Sequence, residues 1–170
     1  MPNVSSRFGR LAWLWLTLLV FVIDQASKFY FDNTLTMYQQ IVVIPDLFSW
    51  TLAYNKGAAF SFLATESGWQ RWFFAAIAIA VSVVLVVWLK RLKADETLLA
   101  VALALVLGGA IGNLVDRIVL GHVVDFILVH WQNRWHFPAF NFADSAITVG
   151  AILLGLDMFK SKKSEEQADD

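Results

Sequence analysis

The 170-residue sequence predicts an all-α polytopic membrane bundle of four transmembrane helices, with a small β-sheet on one side of the membrane. Three observations lead there. Hydrophobic residues make up 58% of the chain and charged residues only 16%, with a mean hydropathy of +0.60, where an ordinary soluble domain is roughly 25% charged. The apolar residues fall into four stretches separated by charged clusters, each long enough, or nearly so, to cross about 30 Å of hydrocarbon as a helix. Between the first two stretches lies a segment with the period of a strand.

The first span covers residues 11–31, LAWLWLTLLVFVIDQASKFYF. Arg7 and Arg10 precede it as they would a secretory leader, but bulky and ionisable side chains stand where a small-residue cleavage site belongs, so it reads as a retained helix. Residues 32–70 then form a β-rich outer subdomain. In FSWTLAY, Phe48, Trp50, Leu52 and Tyr54 alternate with Ser49, Thr51 and Ala53, and Asn55-Lys56-Gly57 supplies the closing turn. Such a sheet has one greasy face, expected to rest on the membrane surface. The second span, 72–89, contains no ionisable residue, and the third, 97–115, carries Gly108 and Gly112 at the spacing that permits close helix contact. The fourth, 141–159, has Asp144 near its start, and 160–170 reads as a disordered tail. All four spans are helices because lipid penalises unpaired backbone groups.

Basic residues give the orientation. Arg7, Arg10, Lys90, Arg91, Lys93, Lys160, Lys162 and Lys163 fall on one side, against Lys56, Arg71, Arg117 and Arg134 on the other, which holds far more chain. By the positive-inside rule both termini and the link between spans two and three are cytoplasmic. A net charge of −1 gives no reason to expect a nucleic-acid partner. The absence of cysteine removes disulfides, thiolate nucleophiles and thiolate metal ligands, leaving chemistry to oxygen and nitrogen groups.

In such a chain the informative residues are ionisable groups within or beside the spans, since one at a helix centre costs about 2.5–3.5 kcal/mol. Asp24 and Lys28 are four apart and can pair on one face of the first span; an ion pair snorkelling at the outer boundary is the plainer reading, direct contact with a ligand the other. Asn113, Asp116 and Arg117 share a face at the outer end of the third, where the Arg117 fork can hold a carboxylate or a carbonyl. Packing explains two carboxylates less well. Asp125, among Val123, Val124, Phe126 and Ile127, lies at the outer membrane boundary, and Asp144 approaches the same depth from the fourth span. Brought together, they would share a proton, one serving as base and the other as acid. The plainer reading makes Asp125 a cap of a short helix or a loop anchor, and Asp144 a helix cap. His122, His130 and His136 offer metal ligands on paper, but at no recognised spacing, so no metal is expected. Asn55, Asn113 and Asn141 are amides able to hold a peptide backbone or orient the acids.

Five strings, DQASK at 24–28, YNKGAAF at 54–60, GNLVDR at 112–117, VVDF at 123–126 and FNFADSAI at 140–147, occur in that order on the four-span frame. In them the chain resembles the lipoprotein signal peptidase family (signal peptidase II), bacterial membrane aspartic peptidases, over about residues 11–159. The resemblance implies cleavage of the signal peptide from a prolipoprotein, immediately N-terminal to a diacylglyceryl-modified cysteine. It implies a catalytic dyad of Asp125 and Asp144, support of substrate or dyad by Asn55, Asn113, Arg117 and Asn141, and a structural Asp24–Lys28 pair. It also implies no cofactor, a monomer among membrane lipids, and an active site near the periplasmic face of the inner membrane, under a β-sheet cradle. The alternative is a small channel or transporter with a charge relay through Asp24, Lys28, Asp116 and Arg117, which calls for polar residues spread along the membrane depth.

Overall fold

The computed structural model describes residues 9–57, 68–132 and 134–166, with side chains up to Phe159 in the last helix. After a 3-10 turn at Gly9–Trp13 come α1 (Leu14–Thr34), β1 (Gln40–Ile44), β2 (Phe48–Asn55), α2 (Trp69–Arg91), α3 (Thr97–Val119), β3 (Val123–Trp131), β4 (Trp135–His136) and α4 (Phe142–Glu166). All four α-helices contain a stretch long and apolar enough to cross a membrane. Residues 58–60 of the YNKGAAF string fall outside the described residues, as does the tail from 167. The helix continues through 160–166, where a disordered tail was expected; Lys and Glu are good helix formers and supply that extension.

α3 is the hub. It packs against the other three helices, and 56% of its most apolar stretch is buried, against 17%, 17% and 11% for the others, whose remaining faces are left for lipid. Leu85 and Leu89 of α2 meet Leu99, Ala100, Leu103 and Leu107 of α3 in the main apolar cluster. Small residues let the neighbours approach: Gly108 lies against Thr17 and Val20 of α1, and Gly109 against Ala143 and Ile147 of α4. A methyl group at Gly109 would overlap the Ala143 carbonyl. Gly109→Ala is therefore expected to cost about 1–3 kcal/mol through displacement of the first turn of α4, read as a lowered thermal midpoint. Gly155→Ala, whose added carbon meets nothing within 4 Å, should leave that midpoint unchanged or raised.

At one end of the bundle Arg10 donates to the Lys93 carbonyl at 2.7 Å, tying the start of the first span to the α2–α3 link. At the other end the strands form one antiparallel sheet in the order β1-β2-β3-β4. The sheet thus draws two strands from beyond 32–70. The apolar flanks of Asp125 belong to β3, whose sequence VVDFILVHW is rich in β-branched and aromatic residues. α3 ends on Gly121 at φ 83°, a left-handed residue that turns the chain into β3. Phe31 of α1 stacks on Phe126 at 4.5 Å and meets Trp50 at 4.9 Å, seating the sheet on the bundle. The polar side of β2 is the more buried one: Ser49 is 0% exposed and pairs with His130 Nε2 at 3.0 Å. Exposed apolar surface lies instead along β1, at Ile41, Val42, Val43 and Ile44.

Candidate active site

β3 delivers Asp125. The residue sits inside the strand opposite Ala53 of β2, so it caps no short helix, although its carboxylate does hold Asn141 in the link that leads into α4. Immediately beyond it, the Phe126 and Ile127 N–H groups donate to the Phe140 carbonyl at 3.0 and 2.8 Å, fastening the entry to α4 against the strand. Asn141 is consequently placed beside Asp125. Its backbone carbonyl accepts from the Ser145 N–H at 3.1 Å, which makes it the N-cap of α4. Asn141 Oδ1 accepts from the Asp144 N–H at 2.9 Å, while Asp144 Oδ2 accepts from the Asn141 N–H at 3.3 Å. This reciprocal pair is a capping box, so the plainer reading of Asp144 is correct as far as it goes.

It does not go far enough, because the same amide has a second end. Asn141 Nδ2 donates to Asp125 Oδ1 at 2.7 Å, so one side chain bridges the two aspartates. Asn113 of α3 donates through Nδ2 to Asp144 Oδ1 at 2.8 Å, and Asn55 of β2 hydrogen-bonds Asp125. The three asparagines expected to matter therefore converge on the two acids. Asp144 has N–H donors on both oxygens at a helix N-terminus, an arrangement that stabilises negative charge there. Asp125 is only 2% exposed; burial first, and the charge of Asp144 second, push its pKa up to about 7, against the opposing hydrogen bonds of Asn55 and Asn141. The two acids differ in environment, as a base and an acid must.

Arg117 holds carbonyls rather than a carboxylate. Nη1 donates to the Asn113 carbonyl at 3.1 Å and Nη2 to that of Gly57 at 3.2 Å, with the guanidinium 5.5 Å from the Phe74 ring. The Asp24–Lys28 pair does form, at 2.8 Å, but is 0% and 3% exposed, so it is buried rather than snorkelling. Lys28 reaches Asp116 as well, at 2.9 Å. Gln25, which no motif singled out beyond its place in DQASK, donates to Asp116 Oδ1 at 2.8 Å. The three histidines do not meet at one point: His122 lies against Tyr54 at 4.2 Å, while His130 pairs with Ser49 and stacks on His136 at 5.6 Å. Burial lowers the His122 pKa, and Tyr54, donating to Asp32 at 2.7 Å, has its pKa raised chiefly by that bond. Among the described residues no three His, Asp or Glu side chains gather as metal ligands would.

A cleft of about 540 Å³ opens on this cluster. Asn55, Asn113, Arg117 and Asp144 line its polar part, and Val123, Phe137, Phe140, Ile147 and Val149 its apolar part. A slot with apolar walls and a few convergent polar groups suits a largely apolar ligand that is held by its backbone.

A family model described as signal peptidase (SPase) II matches residues 16–160. The chain belongs to the signal peptidase II family. It is 79% identical over 170 residues to the lipoprotein signal peptidase of Pseudomonas fluorescens strain Pf0-1, and 80% identical over 171 residues to that of Pseudomonas putida, each alignment covering 100% of both chains. Against the Pseudomonas aeruginosa PAO1 lipoprotein signal peptidase it is 78% identical over 168 residues, 99% of each chain. A solved bacterial membrane enzyme superposes with a TM-score of 0.81 at 32% identity, over 90% of each chain. This member of the signal peptidase II family is a multi-pass membrane protein with the fold of that solved enzyme. The channel alternative has no support: Asp24, Lys28 and Asp116 gather in one buried cluster instead of marking a path through the bilayer.

Proposed function

We propose that this protein cleaves the signal peptide from diacylglyceryl-modified prolipoproteins, immediately N-terminal to the lipidated cysteine, using Asp125 and Asp144 to activate water. The observation that carries the reading is Asn141, whose side-chain amide donates to the Asp125 carboxylate and whose backbone N–H donates to that of Asp144, joining two carboxylates of different environment beside an apolar-walled cleft. Asp144, in the cleft wall, takes a proton from water as it attacks the scissile carbonyl carbon. Asp125, kept protonated by burial, donates to the carbonyl oxygen, and collapse of the tetrahedral intermediate breaks the C–N bond as a proton passes to the leaving amine. Asn55, Asn113 and Asn141 orient the acids, and Arg117 faces the peptide carbonyls of the bound signal segment.

The orientation follows the same logic. Both termini and the α2–α3 link lie on the cytoplasmic side, supported by the excess of basic residues there and by the Arg10 bond to that link. The site at the opposite end is then at the periplasmic face of the inner membrane. There the acyl chains of the substrate remain in lipid while its signal helix enters the cleft. The enzyme works as a monomer.

The test is cleavage of a synthetic diacylglyceryl-modified precursor by the purified protein in detergent or bilayer. Product ending at the residue before the modified cysteine is expected, and an unmodified precursor should be a poor substrate. A chelator should leave the rate unchanged; a loss restored by zinc would overturn the dyad mechanism.

A further inference from the structure

Beneath Asn113 lie three charges that take no part in that reaction. Asp24, Lys28 and Asp116 are 0%, 3% and 3% exposed. Lys28 Nζ directs its three N–H donors at Asp24 Oδ2 (2.8 Å), Asp116 Oδ2 (2.9 Å) and Asn113 Oδ1 (2.9 Å). A pair serving only to join two helices would stop there. Here both acids reach further: Asp24 Oδ1 accepts from the Ala143 N–H at 2.8 Å, and Asp116 Oδ2 from the Val124 N–H at 3.2 Å. Ala143 is the residue immediately before Asp144, and Val124 the residue immediately before Asp125.

We propose that the Asp24–Lys28–Asp116 triad sets the separation and orientation of the two aspartates, with Lys28 as the positioning residue at its centre. The proposal rests on the reading of Asp125 and Asp144 as the catalytic dyad. Each acid of the triad grips the backbone beside one aspartate, and Lys28 holds the two acids together, so α4 and β3 are fixed relative to each other at the reacting groups. Gln25 braces the arrangement through its donations to Asp116 Oδ1 at 2.8 Å and Asp24 Oδ2 at 3.2 Å.

Lys28 also decides which way Asn113 faces. An ammonium has donors only and a carboxylate acceptors only. Asn113 must therefore turn Oδ1 to Lys28 and Nδ2 to Asp144; the flipped amide would set N–H against ammonium and C=O against carboxylate. The same Oδ1 lies 3.3 Å from Asn141 Nδ2, the group that bonds Asp125. One cation thus orders both amide contacts to the aspartates without touching either.

Purified Lys28→Met is expected to lower kcat about 10- to 100-fold, the scale of small misplacements of reacting groups, with KM kept within about twofold. Lys28→Met and Asn113→Ala should be strongly non-additive in kcat, because Lys28 acts through Asn113. Asp116→Asn, which keeps the shape of the side chain and reduces the buried negative charge, should show the same split between kcat and KM; it decides the matter if Lys28→Met fails to fold. Normal kcat in folded Lys28→Met or Asp116→Asn, a change in KM alone, or fully additive effects with Asn113→Ala would overturn the proposal. Failure of the dyad reading itself would appear separately, as near-normal cleavage by Asp144→Asn.

Discussion

Asp144→Asn and Asp125→Asn are each expected to slow cleavage of a lipid-modified precursor by about a thousandfold or more, the scale of general acid–base catalysis. The double variant should be little worse than either single one, because the two carboxylates act as a unit. Asparagine preserves the shape at both positions but can neither take a proton from water nor give one to the carbonyl oxygen. Both variants should insert and fold. At position 144 the amide keeps an oxygen for the Asn141 N–H, although its NH2 group then faces the Asn113 donor or the backbone, so a modest loss of thermal stability accompanies the loss of rate. Either variant cleaving at a near-normal rate would remove its aspartate from the mechanism.

The second large effect is on pH dependence, and there Asp125→Asn should act in opposite senses on rate and stability. The Asp125 carboxyl titrates near 3.8 in the unfolded chain and near 7 in the folded one. Between those values the folded protein holds a proton that the unfolded chain has released, so stability falls as pH rises through that window and the loss is complete above about 7. The rise in pKa corresponds to roughly 4 kcal/mol. Neutral asparagine at this position carries no such penalty. The thermal midpoint of Asp125→Asn should therefore exceed that of the parent at pH 8 and approach it near pH 4, while the variant stays inactive throughout. Parent activity should decline above pH 7 as the acid ionises. A parent rate still rising at pH 9, or a variant midpoint below the parent's at pH 8, would show that Asp125 is not held protonated.

The four spans were readable because lipid imposes a strong and simple signal, predominantly apolar stretches of some 18 or more residues with few charges. Asp125 and Asp144 stood out for the same reason, as costly groups at a boundary. What could not be read was how the acids meet. β3 carries Asp125, but its run VVDFILVHW is apolar on both sides, so the period-two signal that exposed β2 is missing. Ser49 and Thr51 on the polar side of β2 are buried as well as Leu52 on the other, and Ser49 is satisfied there by His130, a partner from a distant strand that alternation along β2 does not reveal. Asn141 was one amide among three, and its dual use as helix cap and bridge depends on Phe140 pairing with Ile127, a contact between distant parts of the chain. The pairing of Lys28 with Asp24 follows from helical spacing; its reach to Asp116 depends on the close packing of α1 against α3, which the small residues of α3 allow.

The order of the elements along the chain carries a consequence for biosynthesis. Asp125 and its strand leave the ribosome before α4, but Asn141, Ala143 and Asp144 all belong to the opening of the last span. Until that span enters the bilayer, Asp125 has neither its bridging amide nor its partner, and Asp24 lacks the backbone donor of Ala143. The proposed dyad is therefore incomplete until the last span has been made. With the dyad proposed above, hydrolytic capacity comes in one late step, when the fourth helix docks and its first turn completes.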